Sequence, residues 1–104
     1  MKVTWTKFAI DNLMAIFEYY NEVANHKIAS KIRDGLILES RRLLKNYESY
    51  QKELSLTRKG EGHRYLVKDN YKLIYKIIGD EIVITDVFDT RQNPSKINNP
   101  TRKL

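Results

Sequence analysis

Apolar residues recur at helical spacing through the first half of the chain, after a short predicted strand over residues 1–5. Thr6 is a suitable N-cap for the first helix, whose apolar line consists of Ile10, Leu13, Phe17, Tyr20 and Ala24. Asn25 ends this helix or caps a second one, predicted over residues 26–47. The apolar line of the second helix consists of Ile28, Ile32, Leu36, Leu43 and Tyr47. The short link between the two helices predicts an αα-hairpin.

The period of the pattern changes to two in the second half. Residues 48–62 are polar and contain two serines and two glycines, which predicts a surface loop. Three strands are predicted over residues 63–68, 71–78 and 82–88, joined by tight turns at Asp69-Asn70 and Gly79-Asp80. The chain then becomes polar, with Pro94 and Pro100. We therefore expect one domain over residues 1–94 and a polar, flexible tail over residues 95–104.

These elements predict an α+β fold of β-α-α-β-β-β order, in which a helical hairpin covers one face of a twisted, mostly antiparallel sheet. On the middle strand of the meander, the face that meets the helices carries Tyr71, Leu73, Tyr75 and Ile77. The opposite face, with Lys72, Ile74 and Lys76, is expected to be at least partly open. The residues predicted to be largely buried are Phe17, Ile32, Leu36, Leu73, Tyr75 and Val83.

Composition narrows the class of protein. The 104 residues are 41% hydrophobic and 31% charged, which suits one modest globular core. The absence of cysteine excludes disulfides and thiolate chemistry. No apolar run approaches the ~18 residues of a membrane span, so we expect a cytoplasmic protein with no membrane partner. The net charge of +6 suits a polyanion such as nucleic acid or an acidic protein, although solubility alone is an equal explanation.

Known catalytic motifs are missing from the sequence. Gly60-Glu61-Gly62 is too short for a phosphate-binding loop, and two histidines are too few for a histidine-rich metal site. His26 is expected to be an exposed polar residue, and Asp86 and Asp89 to be solvated carboxylates. We therefore expect no metal and no cofactor.

The informative residues are cations interleaved with tyrosines on the predicted meander. Neighbouring strands lie side by side, so Arg64, Lys72 and Arg91 can converge and hold a phosphate. The candidate set for binding nucleic acid or another target is Arg64, Lys68, Lys72, Lys76 and Arg91. Tyrosines among cations can stack unpaired bases, although a core role is the better interpretation for Tyr71 and Tyr75. RNA cleavage also needs a base and an acid, for which the chain offers only His63, Glu61, Tyr65 or a lysine.

The order of elements and the run HRYLVKDNYKLIYKIIGDEIVITDVFDTRQNP over residues 63–94 resemble the RelE/ParE toxins of bacterial type II toxin–antitoxin systems, also named plasmid stabilisation proteins. The run has a basic residue in the first meander strand. The segment N-Y-K-L-I-Y-K stands in place of the G-Y-R-L-I-Y-R pattern, and D-x-R-x-x-P follows the last strand. The helical half is compatible with the family but generic.

The resemblance implies a small basic toxin that is neutralised by a cognate acidic antitoxin. RelE-like members cut mRNA in the ribosomal A site, whereas ParE-like members inhibit DNA gyrase. Arg64, Lys72 and Arg91 match positions where the RelE-like branch keeps phosphate-contacting cations. Two departures count against cleavage, because Leu66 stands where a second lysine would be and residues 92–104 contain no tyrosine or histidine.

We therefore expect a toxin that inhibits bacterial growth, and we favour a ParE-like inhibitor of DNA gyrase. The alternative is a RelE-like, ribosome-dependent mRNA endonuclease with Arg64, Lys72, Arg91 and His63 as its catalytic residues. A stand-alone RNA-binding module is a third interpretation. The resemblance gives no oligomeric state.

Overall fold

The computed structural model describes residues 1–53, 62–93 and 96–97. Its elements, in chain order, are β1 (Lys2–Trp5), α1 (Lys7–Val23), α2 (His26–Ser40), α3 (Leu43–Asn46), β2 (Arg64–Lys68), β3 (Tyr71–Ile78) and β4 (Glu81–Asp89). Most of the predicted loop over residues 48–62 and most of the predicted tail over residues 95–104 lie outside the described residues.

The four strands form one sheet in the order β1-β4-β3-β2. The β2, β3 and β4 strands form the predicted antiparallel meander, and β1 pairs in parallel with β4. A parallel pair needs a long crossover connection, and here the three helices, β2 and β3 all lie between β1 and β4 in the chain. The predicted α+β architecture is therefore confirmed, with one parallel pair at the edge of the sheet.

Both predicted helix caps are present. The Thr6 hydroxyl accepts a hydrogen bond from the Ala9 amide at 3.1 Å, and the Asn25 side chain accepts one from the Ile28 amide at 2.9 Å. Each cap satisfies one of the amide groups that the first turn of a helix leaves unpaired. The two caps fix where α1 and α2 begin, and so fix the hairpin.

The second helix is shorter than predicted. It ends at Ser40, and the chain tightens before α3 because the amides of Arg41 and Arg42 bond to the carbonyl groups of Leu38 and Glu39, three residues back. Such bonds replace the α-helical pattern with a tighter turn. The continuous helix over residues 26–47 was therefore wrong, although Leu43 of its apolar line is fully buried.

The main core lies between α1, α2 and the sheet, but the buried side of α1 differs from the predicted line. Ala9 and Leu13 are buried with Asn12, whereas Ile10 is 45% exposed and Ala24 is also exposed. The small side chain of Ala9 lets the helix approach the sheet closely. Leu36, Leu73 and Tyr75 are buried as predicted, whereas the other three residues in that prediction, Phe17, Ile32 and Val83, are only half-buried.

The sheet face turned away from the helices has a small core of its own. Ile74 and Phe88 are buried there against Ile97, and Tyr65 packs on the same cluster. The face predicted to be at least partly open is therefore closed at Ile74, because Ile97 comes from beyond the last strand, where local pattern gives no signal. On the helix side, Ile77 is 39% exposed near the end of β3.

Candidate functional site

Arg91 lies two residues past β4 and is held by the last residue of that strand. The Asp89 carboxylate accepts hydrogen bonds from Arg91 Nε at 3.0 Å, from Nη2 at 2.8 Å and from its backbone amide at 2.9 Å. Two parallel bonds of this kind fix the plane of a guanidinium. The bonds from Arg91 hold the pKa of Asp89 below its ordinary value, and the same contact raises the pKa of Arg91.

A cleft of about 400 Å³ opens between α1 and this end of the sheet, with Arg91 and Asp89 in its wall. Asn12, Ala15, Ile16 and Tyr19 line the helix side of the cleft, and Tyr71, Val87 and Gln92 complete its lining. The Tyr71 hydroxyl donates to the Tyr20 hydroxyl at 3.3 Å, and burial is the main cause of a raised pKa for Tyr71. The cleft therefore combines an aromatic wall with a fixed guanidinium.

A buried polar contact attaches α1 to the sheet beside this cleft. The Asn12 side chain donates to Asp86 Oδ1 at 2.8 Å, and both residues are buried. Asp86 lies where the β3–β4 register shifts between Ile74 and Tyr75. A bulge of this kind turns a side chain out of the regular alternation. Asp86 is thus a structural carboxylate rather than the solvated one that the sequence suggested.

Arg64 lies on the helix-facing side of β2, opposite Tyr75 in the register. Its Nη1 donates to the Tyr50 carbonyl at 2.6 Å. The Tyr50 ring packs edge-on against Tyr75 with 6.4 Å between ring centroids, and burial raises the pKa of Tyr75 to about 12. Arg64 therefore helps to hold the segment after α3 against the core.

Lys72 lies on the sheet face turned away from the helices, and the strand register pairs it with Val67 on β2 and Phe88 on β4. Its Nζ is 2.8 Å from Glu53 Oε2 and 4.3 Å from the centroid of the Tyr65 ring. The Glu53 side chain is 2% exposed and that of Lys72 is 20% exposed. Lys72 thus forms a largely buried ion pair and a cation–π contact.

The predicted convergence of Arg64, Lys72 and Arg91 does not occur. Directly paired residues share a face and successive residues alternate, so the register places Arg64 and Lys72 on opposite faces. Arg91 lies beyond β4, at the end of the sheet that Tyr71 and Asp89 share. The pairing of neighbouring strands therefore does not bring these three cations together at one phosphate-binding site.

The remaining candidates are dispersed. His63 is 4% exposed just before β2, and its carbonyl accepts from the Glu53 amide at 2.7 Å. Lys68 lies against α2, where its Cε would be 3.8 Å from a β-carbon added to Gly35. Lys76 is half-buried opposite Val83, on the same face as Lys72. His26 is exposed as expected and meets the Phe17 ring edge-on at 5.7 Å.

Two features of the site were missed from the sequence. Glu53 carries no local signal, because its partner Lys72 is 19 residues away. Asp89 had a usable signal, since a carboxylate two residues before an arginine at a strand end can form the fork seen here. Within residues 1–53, 62–93 and 96–97, no group of three or more histidine or acidic side chains could hold a metal ion. Nor does any helix in those ranges have the length and apolar character to cross a membrane.

The meander and the helical hairpin form an α+β fold similar to that of the RelE/ParE class of small toxins. The sequence model of one family, described as the ParE toxin of the type II toxin–antitoxin system parDE, matches residues 3–94. The chain belongs to this family, and is therefore the toxin component of a type II toxin–antitoxin system with a cognate antitoxin as its partner.

The fold is also similar to that of a solved structure described as the chromosomal ParDE toxin–antitoxin system from P. aeruginosa. The TM-score is 0.71 at 20% sequence identity, over 86% of this chain and 95% of that chain. No curated protein matches the sequence.

Proposed function

We propose that this toxin stops growth by binding DNA gyrase, without cleaving RNA. The proposal rests on one observation, namely that each of the three cations that an RNA-cleaving site would use is bonded to another group of the protein. Arg64 bonds to a backbone carbonyl, Lys72 to a buried carboxylate and Arg91 to the Asp89 fork.

Cleavage through an attacking 2′-hydroxyl needs a base, an acid and charge stabilisation at one phosphate. The cations occupy both faces and one end of the sheet, so one phosphate cannot contact all three in this arrangement. His63, the candidate proton carrier, is 4% exposed. Membership of the ParE family supports the same conclusion, since the resemblance links that branch to gyrase.

The Arg91 cleft is the surface that we assign to the target. The Arg91 side chain is 56% exposed while Asp89 fixes its orientation, and Tyr19, which lines the same cleft, is 55% exposed. A fixed arginine next to an exposed tyrosine is the composition typical of residues that dominate protein interfaces. A protein surface with a carboxylate beside an apolar side chain would fit this cleft.

A supercoiling assay with purified gyrase and purified chain tests the proposal. We expect inhibition that weakens by ~10-fold or more in Arg91→Ala, the scale of an interface residue worth above ~1.4 kcal/mol. Lys7→Ala is the matched control, because Lys7 is an exposed cation that also pairs with a carboxylate, Asp11, at 2.7 Å. Cleavage of mRNA on translating ribosomes by folded protein that leaves gyrase active would overturn the proposal.

A further inference from the structure

The α2 helix, the turn after it and α3 carry exposed cations with no function assigned above. Lys27, Lys31, Arg41 and Lys45 are all exposed, and we refer to these four residues as the basic ridge. Lys27 and Lys31 lie one turn apart on α2, about 40° from each other around the helix at ~100° per residue. Arg41 follows the end of α2 and Lys45 lies in α3, so the positive charge continues past the tighter turn after Ser40.

The charge of the basic ridge is not neutralised locally. Residues 26–47 contain two carboxylates, Asp34 and Glu39, and arginines outside the ridge bind both of them. Arg33 Nε lies 3.0 Å from Asp34, and Arg42 Nη1 lies 3.0 Å from Glu39. Within residues 1–53, 62–93 and 96–97, the four ridge cations have no carboxylate within 4.0 Å.

A second element adds to the positive charge. Lys68 of β2 lies beside α2, where its Cε is 3.8 Å from the position that a β-carbon of Gly35 would take. By contrast, α1 carries one cation, Lys7, and three carboxylates, Asp11, Glu18 and Glu22. The helical hairpin is therefore basic on α2 and acidic on α1.

We propose that the basic ridge binds the phosphate backbone of duplex DNA. Four exposed cations without a carboxylate partner among the described residues complement the closely spaced negative charges of a DNA duplex. The exposed large apolar side chains of the same stretch, Ile28, Leu38 and Leu44, stand six or more residues apart in the chain, so they offer a protein partner little contiguous apolar surface. A protein interface of standard size needs ~800 Å² per partner around an apolar centre.

Binding of this kind reads charge, not sequence. The basic ridge shares no residue with the lining of the Arg91 cleft, so the toxin can contact gyrase through one surface and DNA through the other. Simultaneous contact with gyrase and DNA rests on the proposed function. DNA binding by the purified chain does not depend on gyrase, so a failure of the DNA-binding proposal can be told apart from a failure of the gyrase proposal.

Fluorescence anisotropy with a 20-base-pair duplex, repeated at several salt concentrations, tests the ridge. Removing two phosphate contacts with Lys31→Gln and Arg41→Gln should lower the slope of log K against log salt by about 2. At low salt we expect a ~10-fold or greater rise in Kd for this double variant. Both side chains are exposed, and thermal unfolding will show that the variant is folded.

The matched control is Lys2→Gln with Lys7→Gln, which changes the net charge equally through cations that pair with Glu81 and Asp11. Equal losses in the two double variants would mean that net charge alone drives binding, and would overturn the proposal. A Leu38→Gln variant should bind DNA like the wild type. If the ridge variant kept its DNA affinity and lost its antitoxin instead, the ridge would be a protein surface and the proposal would be wrong.

Discussion

The Nζ of Lys72 lies 2.8 Å from Glu53 Oε2, across the edge strand of the sheet. The segment around Glu53 runs along β2, where the Tyr65 amide donates to the Gln51 carbonyl at 3.0 Å and the Glu53 amide to the His63 carbonyl at 2.7 Å. The ion pair therefore fixes this segment to the far face of the sheet. A cation that sequence comparison places at a phosphate acts here as part of the fold.

Breaking this pair should destabilise the protein more than its partial exposure suggests. Lys72→Met leaves the buried Glu53 carboxylate without one partner, so we expect a loss of about 2–4 kcal/mol in the free energy of unfolding. Urea denaturation measures it. The double variant Glu53→Leu with Lys72→Met should recover part of the loss, because it also removes the buried carboxylate that has lost its contact with the Lys72 ammonium group.

The control for that measurement is Lys2→Met, which removes an exposed pair with Glu81 at 3.5 Å. Exposed pairs contribute ~0–1 kcal/mol, so the variant should remain close to the wild type. Equal costs for Lys72→Met and Lys2→Met would show that the Glu53–Lys72 contact is only a surface pair.

The small core on the far face should depend on Ile97. Ile97 is 8% exposed and covers Ile74 and Phe88, so Ile97→Ala should cost ~1–3 kcal/mol and expose apolar surface. The same truncation at Ile78, which is 50% exposed at the end of β3, should cost far less. Thermal unfolding and binding of a hydrophobic dye report the two effects. An Ile97→Ala variant as stable as Ile78→Ala would mean that residue 97 does not close this face.

The Asp89–Arg91 fork predicts a specific pH dependence of stability. Arg91 lowers the pKa of Asp89 in the folded chain below its ordinary value of 3.8. The ionised carboxylate therefore stabilises the fold above that ordinary value, and this contribution is lost as the pH falls through the lower, folded value. The free energy of unfolding of Asp89→Asn should fall less steeply than that of the wild type between about pH 5 and pH 2.

Arg91→Gln should also make the free energy of unfolding depend less on pH over the same acidic range, because it removes the cause of the lowered pKa of Asp89. Adding Asp89→Asn to Arg91→Gln should then change the pH dependence little, since the two residues act as one unit. If both single variants kept the wild-type pH dependence of the free energy of unfolding over this range, the Asp89–Arg91 contact would not be its cause.

Local rules account for the elements that could be predicted from the sequence. Alternating positions and tight turns fix β2, β3 and β4, and the caps at Thr6 and Asn25 fix the helix starts. These features depend on neighbours within about four residues, so their signal is present in a short window of sequence.

Apart from the end of α2 at Ser40, which local hydrogen bonds set, the predictions that failed depended on distant contacts. Burial of Ala9 in place of Ile10 depends on how closely α1 approaches the sheet, and burial of Ile74 depends on Ile97, 23 residues later in the chain. The prediction that Arg64, Lys72 and Arg91 converge failed for a related reason. Neighbouring strands bring Arg64 and Lys72 near in register, but alternation turns them to opposite faces.

Plasmid topology in growing cells tests the central claim most directly, namely that the toxin stops growth by acting on gyrase. After induction of the chain without its antitoxin, plasmid DNA resolved on chloroquine gels should lose negative supercoils before growth stops. The Arg91→Ala variant, expressed to the same level, should shift the plasmid less, and Lys7→Ala should behave as the wild type. Growth arrest with unchanged plasmid supercoiling would contradict the account.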